Sequence, residues 1–387
     1  MGFLSGRVSF LRFGVRGKSP KTFGPEHLDK LAEHAHGRQK TISADGIQAG
    51  WVAGDHILDT RFDLAKNIVN DTLQFALRVD AQKVPADLLR AYTQVELEGA
   101  AASNPSGIPS ARQKREARLT ARERLETEAQ DGRFLRRKMY PLLWDCQTRE
   151  LLVGTTALSV IDRLHTLFQQ TFGHGFELIG AGHRAFLLAE LHEQTRSVDD
   201  ARPSPFVAGS SAELAWVPDE NSRDFLGNEF LLWLWYVLES ESDTVTLADG
   251  SEVAVMMARN LLLECPRGQT GRESITSDAP TRLPEARRAI QAGKLPRKSG
   301  LTLVRHDQQY ELTLQAENFA VSSAKLPTPE AEDERARVEE RIGLIRGMIE
   351  TIDLLYDAFG HRRLSEHWPR DLAKIKKWMQ SDERSSA

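Results

Sequence analysis

Cysteine is scarce: Cys146 and Cys265 are the two in 387 residues, and neither has a Cys-x-x-Cys or Cys-x-x-His companion. That argues against a disulfide framework and a finger-type zinc site, and buried, idle thiols are the expected state. Long apolar runs are also missing. Hydrophobic residues make up 40% of the chain against 27% charged, mean hydropathy is −0.42, and no run reaches the roughly 18 residues of a membrane span. Met1 to Gly14 interleaves apolar residues with Arg7 and Arg12, unlike a signal peptide, so a cytoplasmic location is expected. Gly180-Ala181-Gly182 lacks the Gly-x-x-x-x-Gly-Lys-Ser/Thr of a phosphate loop, and such glycines usually mark turns. His34 and His36, two apart, point in different directions on a helix and cannot share a metal as an i, i+4 pair could.

What the chain does have is a concentrated basic stretch. Ser110 opens it with Ser-x-x-Gln, a capping box in which Gln113 completes the helix start. Arg112, Lys114, Arg115, Arg118, Arg122 and Arg124 follow, and after Gly132 come Arg133-Phe134-Leu135-Arg136-Arg137-Lys138, leading into an apolar strand at Tyr140 to Trp144. From 112 to 138 ten Lys/Arg stand against five Asp/Glu, a local charge of +5 in a chain of −4. Such a surface suits a polyanion. Residues 180 to 260 are the opposite, with fourteen Asp/Glu against five Arg, and make a poor DNA surface.

The remaining pattern reads as alternating strands and helices. Strands are expected over Arg7–Val15 and Thr72–Val79, and helices over Pro25–Ala35 and Ala86–Leu97, the latter with Pro85 as its first residue and a linker at Gly99–Gly107. A hairpin joins Leu142–Trp144 to Leu151–Thr155. A helix from Ser159 buries Val160, Ile161, Leu164, Leu167 and Phe168 before Gly173 stops it. The helix around Phe230 to Tyr236 reads as core in preference to a base-stacking platform. Two more hairpins turn at Asp249-Gly250 and at His306 to Gln309, and a long helix starts near Glu330. Its stripe of Ile342, Ile345, Ile349, Ile352, Tyr356 and Phe359 suits a core or a partner helix. At this length several subdomains are expected in an α+β protein with antiparallel hairpins and long helices.

The order of these features resembles the recombination-associated protein RdgC family. The resemblance rests on the opening strand, on Gly50-Trp51 followed by a strand, Val84-Pro85 and a helix, on the charged helix leading through Arg133-Phe134 to Leu-Leu-Trp-Asp, and on Glu285 to Lys298 before a hairpin. It implies an RdgC-like region over 1–178 that includes the basic helix 110–138, and a second over 265–326. Between them lies an acidic insert, 179–264, longer and more acidic than the family pattern; a C-terminal helical region, 327–387, extends beyond it. It also implies a ring- or clamp-shaped homodimer around double-stranded DNA, nucleoid-associated, that restrains a RecA-type recombinase by competing for DNA. Phe134 would fall at the dimer gate with Arg272 as its basic partner, and Lys294 and Lys298 would match the family's Ala-Gly-Lys-x-x-x-Lys lysines. No active site, cofactor or metal is implied.

The residues support DNA binding on their own terms. Non-specific affinity needs clustered Lys and Arg that neutralise phosphates, and no base-reading element. The DNA-binding candidates are therefore Arg112, Lys114, Arg115, Arg118, Arg122, Arg133, Arg136, Arg137, Lys138, Arg272, Lys294 and Lys298. The competing reading of the helix is a solvated face of i, i+4 Glu/Arg pairs. A metal-dependent nuclease would draw on Asp219, Glu220, Asp224 and Glu229, although no Asp/Glu-x-Lys strand accompanies them. A third reading is an interaction protein whose acidic insert and C-terminal helix bind a protein partner.

Overall fold

A computed structural model describes residues 2–381 except 19, 39–45, 194, 207–213, 215, 218, 220 and 267–270. The first half of the chain builds β1 (Val8–Val15), α1 (Pro25–Glu33), β2 (Gln48–Val52), the short α2 (Leu64–Asn67) and β3 (Ile68–Val69), then β4 (Thr72–Gln82). Asn70-Asp71 turns β3 into β4 with both residues at positive φ, which Asn and Asp tolerate best after glycine. Two helices follow, α3 (Ala86–Ala102) and α4 (Ala111–Ala129), and then β5 (Leu135–Asp145), β6 (Glu150–Val153), α5 (Ile161–Phe172) and β7 (Phe176–Leu178). The second half adds α6 (Ala181–Leu191), α7 (Thr195–Asp199), α8 (Phe225–Ser240), β8 (Thr244–Thr246), β9 (Glu252–Glu264) and β10 (Arg272–Ser277). It closes with α9 (Pro284–Gln291), β11 (Leu295–Arg305), β12 (Gln308–Gln315), β13 (Val321–Lys325), α10 (Glu334–Arg363) and α11 (Trp368–Gln380).

The fold is α+β. Thirteen strands form one sheet whose main path runs β10-β9-β11-β12-β13-β1-β6-β5-β4-β2, and the pairings between named strands are antiparallel. β1 joins the two halves. Val8 and Phe10 pair with β13, and Leu11 to Gly14 pair with β6. The expected hairpins form: β5–β6, β8–β9 around Gly250, and β11–β12 around His306-Asp307.

The core gathers in two clusters. In the first, Trp144 stands edge-on to Phe168 and Phe172, both at 5.1 Å, and the buried Trp51 donates its indole N–H to Thr171 at 2.7 Å. In the second, α8 is buried along most of its length, with Trp233 and Trp235 nearly inaccessible, so this aromatic run is core. Gly227 permits the close approach of α8 to the sheet, since a Cβ there would collide with the Ala316 carbonyl. The C-terminal α11 folds back so that Trp378 meets Trp235 at 5.6 Å.

Arg12 ties the halves together. It is 1% exposed, and its guanidinium donates to Asp353 of α10 at 2.7 and 2.9 Å and to Glu150 of β6 at 2.8 and 3.0 Å. Burial opposes its charge, but the two carboxylates outweigh burial and raise its pKa well above the ordinary arginine value. Arg346 of α10 adds a 2.6 Å bond to Asp145 at the end of β5.

Two boundaries beside the basic stretch differ from expectation in a way that bears on the site. β5 begins at Leu135 and not at Tyr140, because its first residues pair with the end of β4, from Lys138 opposite Val79 to Leu135 opposite Gln82. The basic cluster therefore sits on a strand. Likewise α3 continues through Gly99 to Ala102, and Pro85 is its extended N-cap, one residue outside the helix. Here Ala100, Ala101 and Ala102 carry the helix across a glycine expected to start a linker.

Candidate nucleic-acid interface

β4 and β5 pair along their full lengths as a ribbon, with β2 on the other edge of β4 over Ala76–Asp80, and the helical pair α3–α4 is inserted at its Gln82/Leu135 end. Lys83 donates its backbone N–H to the Phe134 carbonyl at 2.9 Å, and the Gln82 amide reaches the Ala129 carbonyl at 2.8 Å, so the ribbon closes beneath the helices. The capping box at the start of α4 forms as expected: Ser110 accepts from the Gln113 backbone, and the Gln113 side chain accepts from the Ser110 backbone. Short-loop connection makes the two helices antiparallel neighbours. α4 buries a stripe of Ala117, Ala121, Leu125 and Ala129, whereas α3 has no buried residue at all. The pair thus stands off the body with a wide solvent-facing surface.

Between the helices runs an open groove of about 1090 Å³. Arg90 of α3 and Lys114, Arg115, Arg118 and Arg122 of α4 line it, and no carboxylate does. Its apolar floor comes from Leu89, Leu97 and Leu119. Arg115, Arg118 and Arg122 share one helical face by their spacing of three and four. Among the described residues Lys114, Arg115 and Arg118 make no ion pair, while Arg122 lies 4.0 Å from Glu126 and Arg90 pairs with Asp87. Outside the groove lining Arg112 and Arg124 are paired with Glu116 and Glu128, at 2.9 and 3.7 Å, and Arg124 also lies over the Tyr92 ring of α3 at 4.2 Å. The solvated-pair reading therefore fits Arg112, Arg124 and, in the groove wall, Arg122, and does not account for Lys114, Arg115 and Arg118. Arg90 was missed at the sequence level. The short link between two helices was the available signal, because it folds α3 back onto α4.

Strand alternation divides the second cluster. Arg136 and Lys138 are exposed and without an ion pair among the described residues. Arg137, on the other face, lies opposite Asp80 at 3.6 Å, and the buried Asp80 also holds Arg78 at 2.5 and 2.7 Å. Arg133 pairs with Asp131 at 3.3 Å. Of the remaining candidates, Arg272 and Lys298 are exposed at the start of β10 and on β11. Lys294 is different. It is 5% exposed and its ammonium is spent on Glu273, so in this chain it offers no free charge to a phosphate.

Phe134 is half-buried at the base of the arm, next to β5, and Arg272 opens β10. In the sheet order β9, β11, β12, β13, β1 and β6 lie between those two strands. The structure thus separates the two gate candidates along the sheet order within one chain.

Among the described residues the acids considered for a nuclease do not form a metal-holding group. Asp219 accepts from the Asn221 backbone, Asp224 from the Gly182 backbone and Ser222, and Glu229 is buried against Arg363 and Ser204; Glu220 lies outside the described residues. His34 lies 3.1 Å from the Lys30 carbonyl, and His36 sits 3.6 Å from Asp80. No helix among the described residues is long and apolar enough to cross a membrane. Neither protein-family models nor curated proteins give a match to this chain.

Proposed function

We propose that this protein binds double-stranded DNA without sequence preference, through the basic groove of α3–α4 and the exposed Arg136 and Lys138 of the ribbon beneath it. One observation carries this reading: five cations line a groove that has no carboxylate in its wall, and three of them are unpaired among the described residues. Free guanidinium and ammonium groups are what release counterions from phosphates. No base-reading motif accompanies them, so the contacts are to backbone and confer no sequence information.

The resemblance to the RdgC family extends the proposal to a homodimer that encloses or clamps duplex DNA and limits access of a RecA-type recombinase. Phe134 and Arg272 are set apart in the sheet order of one chain, so a gate that joins them is a contact between two copies. A second reading, a protein-interaction subunit, is favoured by the apolar floor of the groove, which suits an acidic amphipathic helix. Competition separates the two. Random duplexes of equal length should compete equally for the full chain, with affinity falling steeply as salt rises. Strong preference for one sequence, or no duplex binding at low salt, would overturn the DNA reading.

A further inference from the structure

A second cluster lies far from the basic arm. His192 caps the C-terminus of α6, and Asp357 and His361 stand one turn apart near the end of α10. His192 Nε2 is 3.3 Å from Asp357 Oδ1, and His361 Nε2 is 3.8 Å from Asp357 Oδ2. One ligand atom from each residue falls within 4.8 Å of the other two, and the imidazole rings are 4.4 Å apart. Asp357 is buried, at 5% exposure, with an imidazole facing each of its carboxylate oxygens. A buried carboxylate needs a compensating partner. A cavity of about 20 Å³ lies against these same three side chains, room for about one water-sized species.

We propose that His192, Asp357 and His361 bind one divalent d-block cation of the Zn²⁺ class. Two imidazoles and a carboxylate are a borderline donor set that suits zinc better than calcium or magnesium. With metal–ligand bonds of about 2.0–2.2 Å, a tetrahedral site sets its donors about 3.3–3.6 Å apart. The 3.3 and 3.8 Å contacts reach the two different oxygens of Asp357, and the three donor atoms lie within 4.8 Å of one another, so the part-exposed rings turn inward to close on the ion. The His192 and His361 side chains keep 34% and 45% exposure, which leaves an outer position for water. The cation cross-links the end of α6 to the last turns of α10.

The test uses tag-free, chelator-treated full-length protein titrated with Zn²⁺ by calorimetry, and with Co²⁺ as a visible-absorbing substitute. One equivalent should bind per chain, and Co²⁺ should give the intense visible bands of a tetrahedral site. Loss of an outer-shell partner already costs about 10–100-fold in affinity, so loss of a direct ligand should cost about 100-fold or more. His361→Ala, His192→Ala and Asp357→Asn should each show that loss, while His367→Ala, outside the cluster, should bind as the parent does. His361→Ala changes a half-exposed side chain, and circular dichroism checks its fold. No saturable binding by the parent, or unchanged affinity in the folded His361→Ala variant, would overturn the site.

Discussion

Replacing Arg115, Arg118 and Arg122 together by Ala tests the charge argument where it is strongest. The three side chains line one wall of the α3–α4 groove. For duplex DNA each phosphate contact contributes about 0.9 to the slope of log affinity against log salt, so losing three lowers the slope by about 2.7. Arg122 lies 4.0 Å from Glu126, and if that pair already neutralises it, two contacts are lost and the change is about 1.8. The expected window is therefore about 1.8–2.7, with residual slope from Lys114, Arg136 and Lys138. Stability should hardly move, because exposed charge pairs contribute about 0–1 kcal/mol each. Fluorescence anisotropy with a labelled random duplex, at four or more salt concentrations, gives the slopes. A folded variant with the parent slope would show that the groove wall is solvated and makes no phosphate contact.

Other consequences follow from the same geometry. Phe134→Ala should weaken retention on circular DNA more than on short linear fragments, since a clamp slides off free ends; equal losses would refute a topological role. Arg12→Ala removes the cation that Glu150 and Asp353 share and leaves Asp353 with Arg184 at 3.2 Å, at an expected cost of about 3–5 kcal/mol, read from urea unfolding. A cost below about 1 kcal/mol would show that this buried network does not join the halves. Acidification is expected to destabilise the fold through histidine. Burial lowers the pKa of His27 and of His36, and for His36 the nearby Arg78 and Arg137 add to it while Asp80 opposes. A base whose folded pKa is depressed takes up its proton first when unfolded. Its stability is whole above the unfolded value of about 6.5 and is lost as pH falls from there toward the folded value. Urea midpoints across that window should fall on acidification, and less steeply in His36→Asn; identical slopes would exclude His36.

The parts of the fold that were legible in the sequence are those fixed by neighbours in the chain. Ser110 and Gln113 set the start of α4 because a capping box closes within four residues. Gly173 ends α5 because it takes the left-handed conformation at φ 74°. The β11–β12 turn was legible from its flanking strands, although His306 and Asp307, and no glycine, hold the positive φ. What escaped depends on distant pairing. The consecutive charges Arg136-Arg137-Lys138 hide the period of a strand, and β4, more than fifty residues earlier in sequence, makes them one. The joining of β1 to β13 has no local signature either, since Val8 meets Ala324.

At the candidate interface, net charge was legible and availability was not. The count of basic residues over 112–138 treats Arg112 and Arg118 alike, yet Arg112 bonds Glu116 at 2.9 Å while Arg118 has no ion pair among the described residues. Pairing at i, i+4 can be guessed from spacing, but the groove wall also needs α3 as its other side, and Arg90 becomes part of it only through the helical pair. The same limit explains Lys294, whose charge is consumed by Glu273 across a tertiary contact. It explains the imidazoles too: His361 and Asp357 show metal-ligand spacing on α10, but His192 arrives from α6, and no motif spans that gap. A polyanion surface is set by which cations remain unpaired after folding, so the residues to mutate first are Arg115 and Arg118, and the longer list of arginines predicts less than those two.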